Sequence, residues 1–496
     1  TVVAVSNLSF SDPDDTTLDG LTVTGITLIL AILLAYATTH TRTPGKSILA
    51  VLTLLPLFVP SIFPALGLIY LFGTQGLCKE LLGEHSLYGP LGIILGGVIY
   101  ALPHACLLIT AAMRDIDRKL YLAAQTLGAG SWRRFITVTL PGTRYGIVSA
   151  GIVVFVLTIT DFGVPKVLGG DYAMLATEVF KQVMGLQNFT MGATVSLVLL
   201  LPSIAAFALD AWARKKQRFV NRGGGGSALS RNTARDLSFG LAAWAVLLLP
   251  TAVMGMVVWG SLTGFWPYDL SLTFANYGFE ESVYGVTPYW NSLALALGVA
   301  FTGTCFVFCG AYALERCQLA AWAALPYRLL ALVPLCIPGT VLGLAYILAF
   351  NRPDGWIGLL YGSLAILIFN SIIHFYTVSH LACAGSLARL DPQYEKVSAT
   401  LGRSRFGAFL RVILPLQKQT VMDVLFYFFV NALTTISGVV FLYSPDTIPA
   451  SVAILQMADT GRIAEASAMG TLILVTALSA RILVAAFSHY SRKMNN

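Results

Sequence analysis

The chain has 496 residues, of which 56% are hydrophobic and only 11% charged, and its net charge is +7. A soluble domain carries roughly 25% charged residues, so a soluble globular protein is excluded. The Lys and Arg residues sit in short loops between apolar blocks, with no basic stripe interleaved with aromatics, so membrane topology accounts for the charge and nucleic acid is not a partner.

In chain order, residues 1–20 are polar and acidic and lack the basic start of a cleavable signal peptide. Apolar blocks then predict spans near 21–40, 47–73, 87–113, 142–162, 189–212, 238–265, 291–315, 323–350, 358–382, 420–443 and 466–489, about eleven in all. Blocks this long and continuous are helices in lipid rather than barrel strands. The fold class is therefore an all-α polytopic membrane protein. The basic loops fall on one side if the spans alternate: Arg42 and Lys46, then Arg114 to Arg144, Arg214 to Arg218, Arg316 and Arg328, Arg389 to Lys418, and Arg492 with Lys493. That side is the cytoplasm.

The chain repeats itself. Residues 117–141, DRKLYLAAQTLGAGSWRRFITVTLP, align without a gap on 391–415, DPQYEKVSATLGRSRFGAFLRVILP, with an offset of 402 − 128 = 274. Nearly the same offset relates Ala35-Tyr36-Ala37 to Ala311-Tyr312-Ala313, Pro56 and Pro60 to Pro334 and Pro338, and Gly67 and Tyr70 to Gly343 and Tyr346. Tyr88-Gly89 and Tyr361-Gly362 follow the same register. One register across five motifs marks two halves that run in the same direction. Residues 1–212 form the first half and 237–496 the second, joined by a basic, glycine-rich stretch at 213–236 that reads as a flexible cytoplasmic linker. Its Gly223–Ser227 run is compatible with either a native or an engineered linker. The span at 238–265 has no counterpart in the first half, so the first helix of that half is expected to be missing and a complete version to have about twelve spans.

The duplicated segment carries the functional signal. A short helix beginning near Tyr121 holds the small residues Ala123 and Ala124, and Gly128 breaks it. A basic amphipathic stretch follows to Leu140, and Pro141 is expected to open the next span. The product is a rigid cytoplasmic knob shaped to enter a groove on another protein. In the second copy Glu395, Ser398, Gly402 and Pro415 hold the positions of Tyr121, Ala124, Gly128 and Pro141.

These segments resemble the EAA loop of ABC-importer permeases, whose pattern is roughly Glu-Ala-Ala, three residues, Gly, a variable stretch, then Leu-Pro. The first copy keeps both alanines and has Tyr121 in place of the acid, whereas the second keeps the acid as Glu395 and replaces the alanines. The resemblance implies two tandem type I permease repeats in the bacterial inner membrane. It implies two ATPase subunits on the loops and a periplasmic substrate-binding protein as partners. ATP and Mg would be bound by the ATPase partner, with no cofactor in this chain. No phosphate-binding Gly-rich run with Lys occurs here, so this chain is expected to be no enzyme. Thr160–Gly170, Leu175–Ala193, Ile372–Leu381 and Phe429–Thr447 also resemble the permeases of 2-aminoethylphosphonate importers. Fused ferric-iron permeases share the architecture, and resemblance alone places phosphonate ahead of iron.

Asp161 and Lys166 flank Gly163 and Pro165 at the outer end of a span, where an unwound helix end could line a cavity. Asn431, Thr434 and Thr435 occupy the corresponding place in the second half. Each set reads either as substrate pathway or as helix-to-helix bonding. The seven cysteines lack zinc spacing and read as small packing residues, and His104, His374 and His380 read as packing or interhelical-bonding residues, leaving no metal site. An ion-coupled secondary transporter is the rival from another class, but it would need coupling charges inside the spans.

Overall fold

The computed structural model describes residues 13–172, 174–220, 233–279, 283–317, 320–351 and 358–495. Helix is the dominant element. In the first half these are α1 (Pro13–His40), α2 (Lys46–Leu54), α3 (Ile62–Phe72), α4 (Pro90–Arg114), α5 (Arg118–Thr126), α6 (Ser131–Arg134), α7 (Leu140–Thr160), α8 (Gly163–Leu168), α9 (Leu175–Phe180) and α10 (Phe189–Val220). Next come α11 (Thr233–Gly260) and an antiparallel hairpin of β1 (Thr263–Phe265) and β2 (Asp269–Leu272). The remainder holds α12 (Thr287–Arg316), α13 (Ala321–Leu332), α14 (Gly339–Phe350), α15 (Leu364–His374), α16 (Tyr376–Leu387), α17 (Gln393–Thr400), α18 (Arg405–Ala408), α19 (Leu414–Leu416), α20 (Lys418–Thr434), α21 (Ala450–Asp459) and α22 (Ile463–Asn495).

Among the described residues, seven helices are long and apolar enough to cross a membrane, or ten if each bent pair is one span. Three expected straight spans are bent. The block at 47–73 turns through 107° between Phe58 and Ile62, and the block at 323–350 through 111° between Cys336 and Gly339. Both bends carry the repeated prolines Pro56 and Pro60 or Pro334 and Pro338, which remove backbone donors and clash with a continuing helix. The block at 358–382 bends by 55° between His374 and Tyr376.

The span expected at 420–443 is helical only over α20, ending at Thr434. It stops where its repeat stops: Asp161 after α7 has φ −66° and ψ 138°, and Thr435 after α20 has φ −67° and ψ 138°. Residues 213–220 and 233–236, expected as linker, instead extend α10 and α11. Gly223–Ser227 lies outside the described residues.

The contacts define two compact units. The first comprises 1–280 with 454–471, the second 281–453 with 472–496. In the first unit α1, α4 and α7 pack on one another, α10 covers α7, and α11 lies along α3. Ala31, Ala35, Ala101, Ala105 and Ala150 line the core of these contacts. Small side chains let helix backbones approach closely where lipid supplies no hydrophobic drive. In the second unit α12 packs on α16 and α20, the same pairings shifted by the repeat.

Helices α3 and α11 approach each other closely. A Cβ on Gly67 would lie 2.2 Å from the Val253 carbonyl oxygen, and one on Gly260 would lie 2.4 Å from the Tyr70 ring. We expect Gly67→Leu to force α3 off α11 at a cost of about 1–3 kcal/mol or more. Thermal unfolding of the detergent-purified protein, read by size-exclusion chromatography, should show a lower midpoint; an unchanged midpoint would refute the close contact.

Candidate functional site

The two knobs share one construction. Asp117 Oδ1 accepts from Lys119 N at 2.9 Å, and Asp391 Oδ1 accepts from Gln393 N at 2.9 Å. The acid before each helix satisfies a donor that the first turn leaves open. The first helix therefore starts at Arg118, one turn before the expected Tyr121.

Each helix ends the same way. Leu127 (φ −80°, ψ 9°) and Leu401 (φ −82°, ψ 11°) precede Gly128 (φ 75°) and Gly402 (φ 72°). Ala129 N then donates to Ala124 O at 2.9 Å, and Arg403 N to Ser398 O at 3.0 Å. Left-handed backbone here costs any residue with a Cβ, so glycine terminates both helices.

Beyond the turn, the expected helix start at the proline does not occur. α6, a π-turn over Phe135–Thr139 and α7 form one continuous helix. Leu140 N reaches back to Phe135 O, and in the second copy Leu414 N reaches Phe409 O. Pro141 and Pro415 supply no N–H, and the wider turn just before each proline accommodates the missing bond. Both prolines are solvent-exposed.

The outward faces match. Leu127 is 84% exposed and Leu401 74%; Trp132 is 69% exposed and Phe406 70%. Leu120 with Tyr394 and Ile136 with Leu410 add exposed pairs at the same 274-residue offset. Ala123 is exposed, whereas Ser398, at the position of Ala124, is buried inside its own knob. In the second knob a cleft of about 570 Å³ opens beside Tyr394, Val397, Leu401, Arg403, Gly407 and Arg411.

The inward faces rest on the end of a span. Tyr36 meets Phe135 at 5.2 Å, and their repeats Tyr312 and Phe409 meet at 4.7 Å. Beside these aromatic pairs the polar contacts differ. Tyr121 Oη lies 2.8 Å from His40 Nε2 and 3.0 Å from Thr139 Oγ1. Burial pushes the Tyr121 phenol up to about 12, so it stays protonated at neutral pH. In the second knob Glu395 takes two hydrogen bonds from Arg316, Nε to Oε1 at 2.7 Å and Nη2 to Oε2 at 2.5 Å. His40 and Arg316 carried no signal in their own surroundings; they stand out only when the repeat is extended to the span ends, at 316 − 40 = 276.

The pathway candidates have local partners. Asp161 Oδ2 accepts from Val164 N at 3.0 Å and so caps α8. Lys166 Nζ pairs with Asp459 at 3.1 Å, not with Asp161. Asn431 donates to Tyr427 O and Thr434 to Val430 O, each four residues back on α20, and Thr435 O accepts from Ser451 Oγ.

Residues 27–219 match the family model described as binding-protein-dependent transport system inner membrane component. The ferric transport system permease protein FbpB of Actinobacillus pleuropneumoniae is 27% identical over 466 residues, covering 90% of this chain and 67% of that one. The molybdenum transport system permease protein ModB of Escherichia coli is 32% identical over 140 residues, covering 27% of this chain and 61% of that one. Among solved structures, a bacterial ABC transporter that imports the acidic polysaccharide alginate aligns with a TM-score of 0.36 at 16% identity, over 53% of this chain and 99% of that one.

The glycine turns are open to test. Gly402→Val places a branched side chain at positive φ, and we expect it to destabilise the second knob by about 1–2 kcal/mol. Amide exchange over Gln393–Thr400 should quicken while Arg118–Thr126 stays unchanged; an unchanged rate over Gln393–Thr400 would refute the role of the turn.

Proposed function

We infer, from the premise that this chain is an ABC-importer permease related to ferric transport permeases, that each knob docks one ATPase subunit on the cytoplasmic side. Like its relatives, the chain is a multi-pass membrane subunit and not itself an enzyme. One observation supports the docking reading: two capped, glycine-turned knobs present exposed large apolar side chains at matched positions. Large apolar side chains held out on rigid turns are the anchors that grooves on partner proteins bury. The knob built on Tyr121, Ala123, Ala124, Gly128 and Pro141 is the first docking element and the one built on Glu395, Ser398, Gly402 and Pro415 the second, with Tyr121 and Ser398 buried within their knobs rather than on the docking face.

The transport cycle follows. A periplasmic binding protein delivers substrate to the outer mouth. ATP, bound with Mg by the partner subunits, closes their dimer and draws the knobs together. Binding energy at the knobs shifts the population of the spans between outward and inward states. Asp161, Lys166, Asn431, Thr434 and Thr435 mark the matched helix breaks where the pathway would run.

For the cargo, relatives aligned over most of the chain are named as ferric transport permeases, which supports ferric iron. The stretches Thr160–Gly170 and Phe429–Thr447 support 2-aminoethylphosphonate instead. Calorimetry of the binding protein that works with this permease separates the two: ferric ion should release heat of tight binding and the phosphonate should not. The reverse result overturns the iron reading.

Docking has its own test. With the ATPase co-expressed, Trp132→Ala and Phe406→Ala should each weaken its association by about tenfold or more, read by co-purification from membranes. Association unaffected by the double variant would remove the knobs from the interface. Substrate uptake into vesicles that proceeds without ATP would instead favour an ion-coupled transporter.

A further inference from the structure

We propose that His40 and Arg316 are positioning residues that latch the two coupling helices to the span ends, and that the two latches differ in kind: a neutral hydrogen-bonded chain in the first half, an ionic clamp in the second. The proposal rests on the reading of the knobs as docking elements and adds how each is held.

The positions are equivalent. His40 closes α1 and Arg316 closes α12, and their partners Tyr121 and Glu395 are related by the repeat. The shared aromatic contact beneath, Tyr36 with Phe135 and Tyr312 with Phe409, shows that the two knobs sit on their spans in the same way. Against that common frame the polar contacts have diverged.

Arg316 does more than meet Glu395. Its Nη1 donates to Leu390 O at 2.9 Å and Leu387 O at 3.4 Å, and its Nη2 to Asp391 O at 3.2 Å. One guanidinium therefore ties together the end of α12, the last turn of α16 and the first residues of the second knob. The side chain is only 8% exposed and Glu395 24%. Charge-assisted, two-pronged bonds are about twice as strong as neutral ones and fix direction as well as distance.

The first latch cannot do this. An imidazole has two ring nitrogens. In His40 one meets Thr39 Oγ1 at 2.6 Å and the other Tyr121. The chain continues to Thr139, whose place in the second half is taken by Ile413, which has nothing to bond. Hydroxyl links of this kind rotate and exchange partners. An equal pull on the two knobs therefore reaches α12 through a stiff joint and α1 through a compliant one.

Hydrogen exchange on the full-length permease in lipid nanodiscs, without any ATPase, tests the latches. Glu395→Gln should accelerate amide exchange in α17 about tenfold and leave α5 unchanged. Added to Arg316→Gln, it should accelerate exchange no further. Installing the ionic pair in the first half, H40R with Y121E, should slow exchange in α5. Unchanged α17 rates in Glu395→Gln, or a full further acceleration in the Arg316→Gln background, would overturn the proposal.

A second readout separates positioning from simple support. In vesicles carrying the co-expressed ATPase and supplied with binding protein, ATP consumed per substrate imported should rise more in Glu395→Gln than in Tyr121→Phe. An equal rise in both would contradict the difference between the latches. If no ATPase associates with the wild-type chain, the docking reading fails, while the exchange result still decides whether the latches exist.

Discussion

A peptide group in hydrocarbon finds no water, and the cost of leaving it unbonded governs where this chain is allowed to stop being helical. Within the apolar blocks the backbone breaks at few places, and side chains or neighbouring backbone supply partners there. Asp161 takes the Val164 amide after α7. Ser451 donates to the Thr435 carbonyl after α20, and Asn370 Nδ2 donates to Gly438 O at 2.9 Å in the unwound stretch beyond it. Polar residues of the spans that look like substrate ligands are thus in part the means by which broken helices survive in lipid.

The same constraint explains why irregular shapes are concentrated in the knobs. Outside the spans a helix can end on a glycine and begin again on a serine or an aspartate without a large desolvation cost. Both knobs end their first helix in the same way, with backbone angles within a few degrees at Leu127 and Leu401. The two halves share the shape, the outward apolar positions and the aromatic seat, while the fastening to the span differs, His40–Tyr121 in one and Arg316–Glu395 in the other. The retained features are exposed to solvent or hold the turn. The changed feature lies between knob and span, where two different chemistries serve the same geometry.

Much of this protein is legible without coordinates. Hydrophobic blocks identify the spans because a lipid-facing helix has to be apolar along its whole length. The repeat register, read from Gly128 and Gly402, correctly pairs elements whose capping and turns then prove the same. The bends at Phe58–Ile62 and Cys336–Gly339 were less visible: a block of twenty-odd apolar residues has the same composition straight or folded back, and Pro56 and Pro334 lower the cost of a bend without dictating one. The fate of Asp161 and Lys166 was also closed to sequence, since their partners are a backbone amide and Asp459, almost three hundred positions away from Lys166.

Composition and periodicity by themselves determined that the chain lies in a membrane, that it consists of two like halves, and that each half carries a glycine-turned knob. These are local properties, set by transfer of side chains from water and by the φ angles that glycine alone adopts cheaply. Tertiary structure decided which residues hold the knobs in place, that α11 packs along α3 of the first half, and that α7 and α20 stop at one matched residue. Those outcomes depend on which groups meet across tens or hundreds of residues, and the free energy of such a meeting is not contained in either partner's own surroundings.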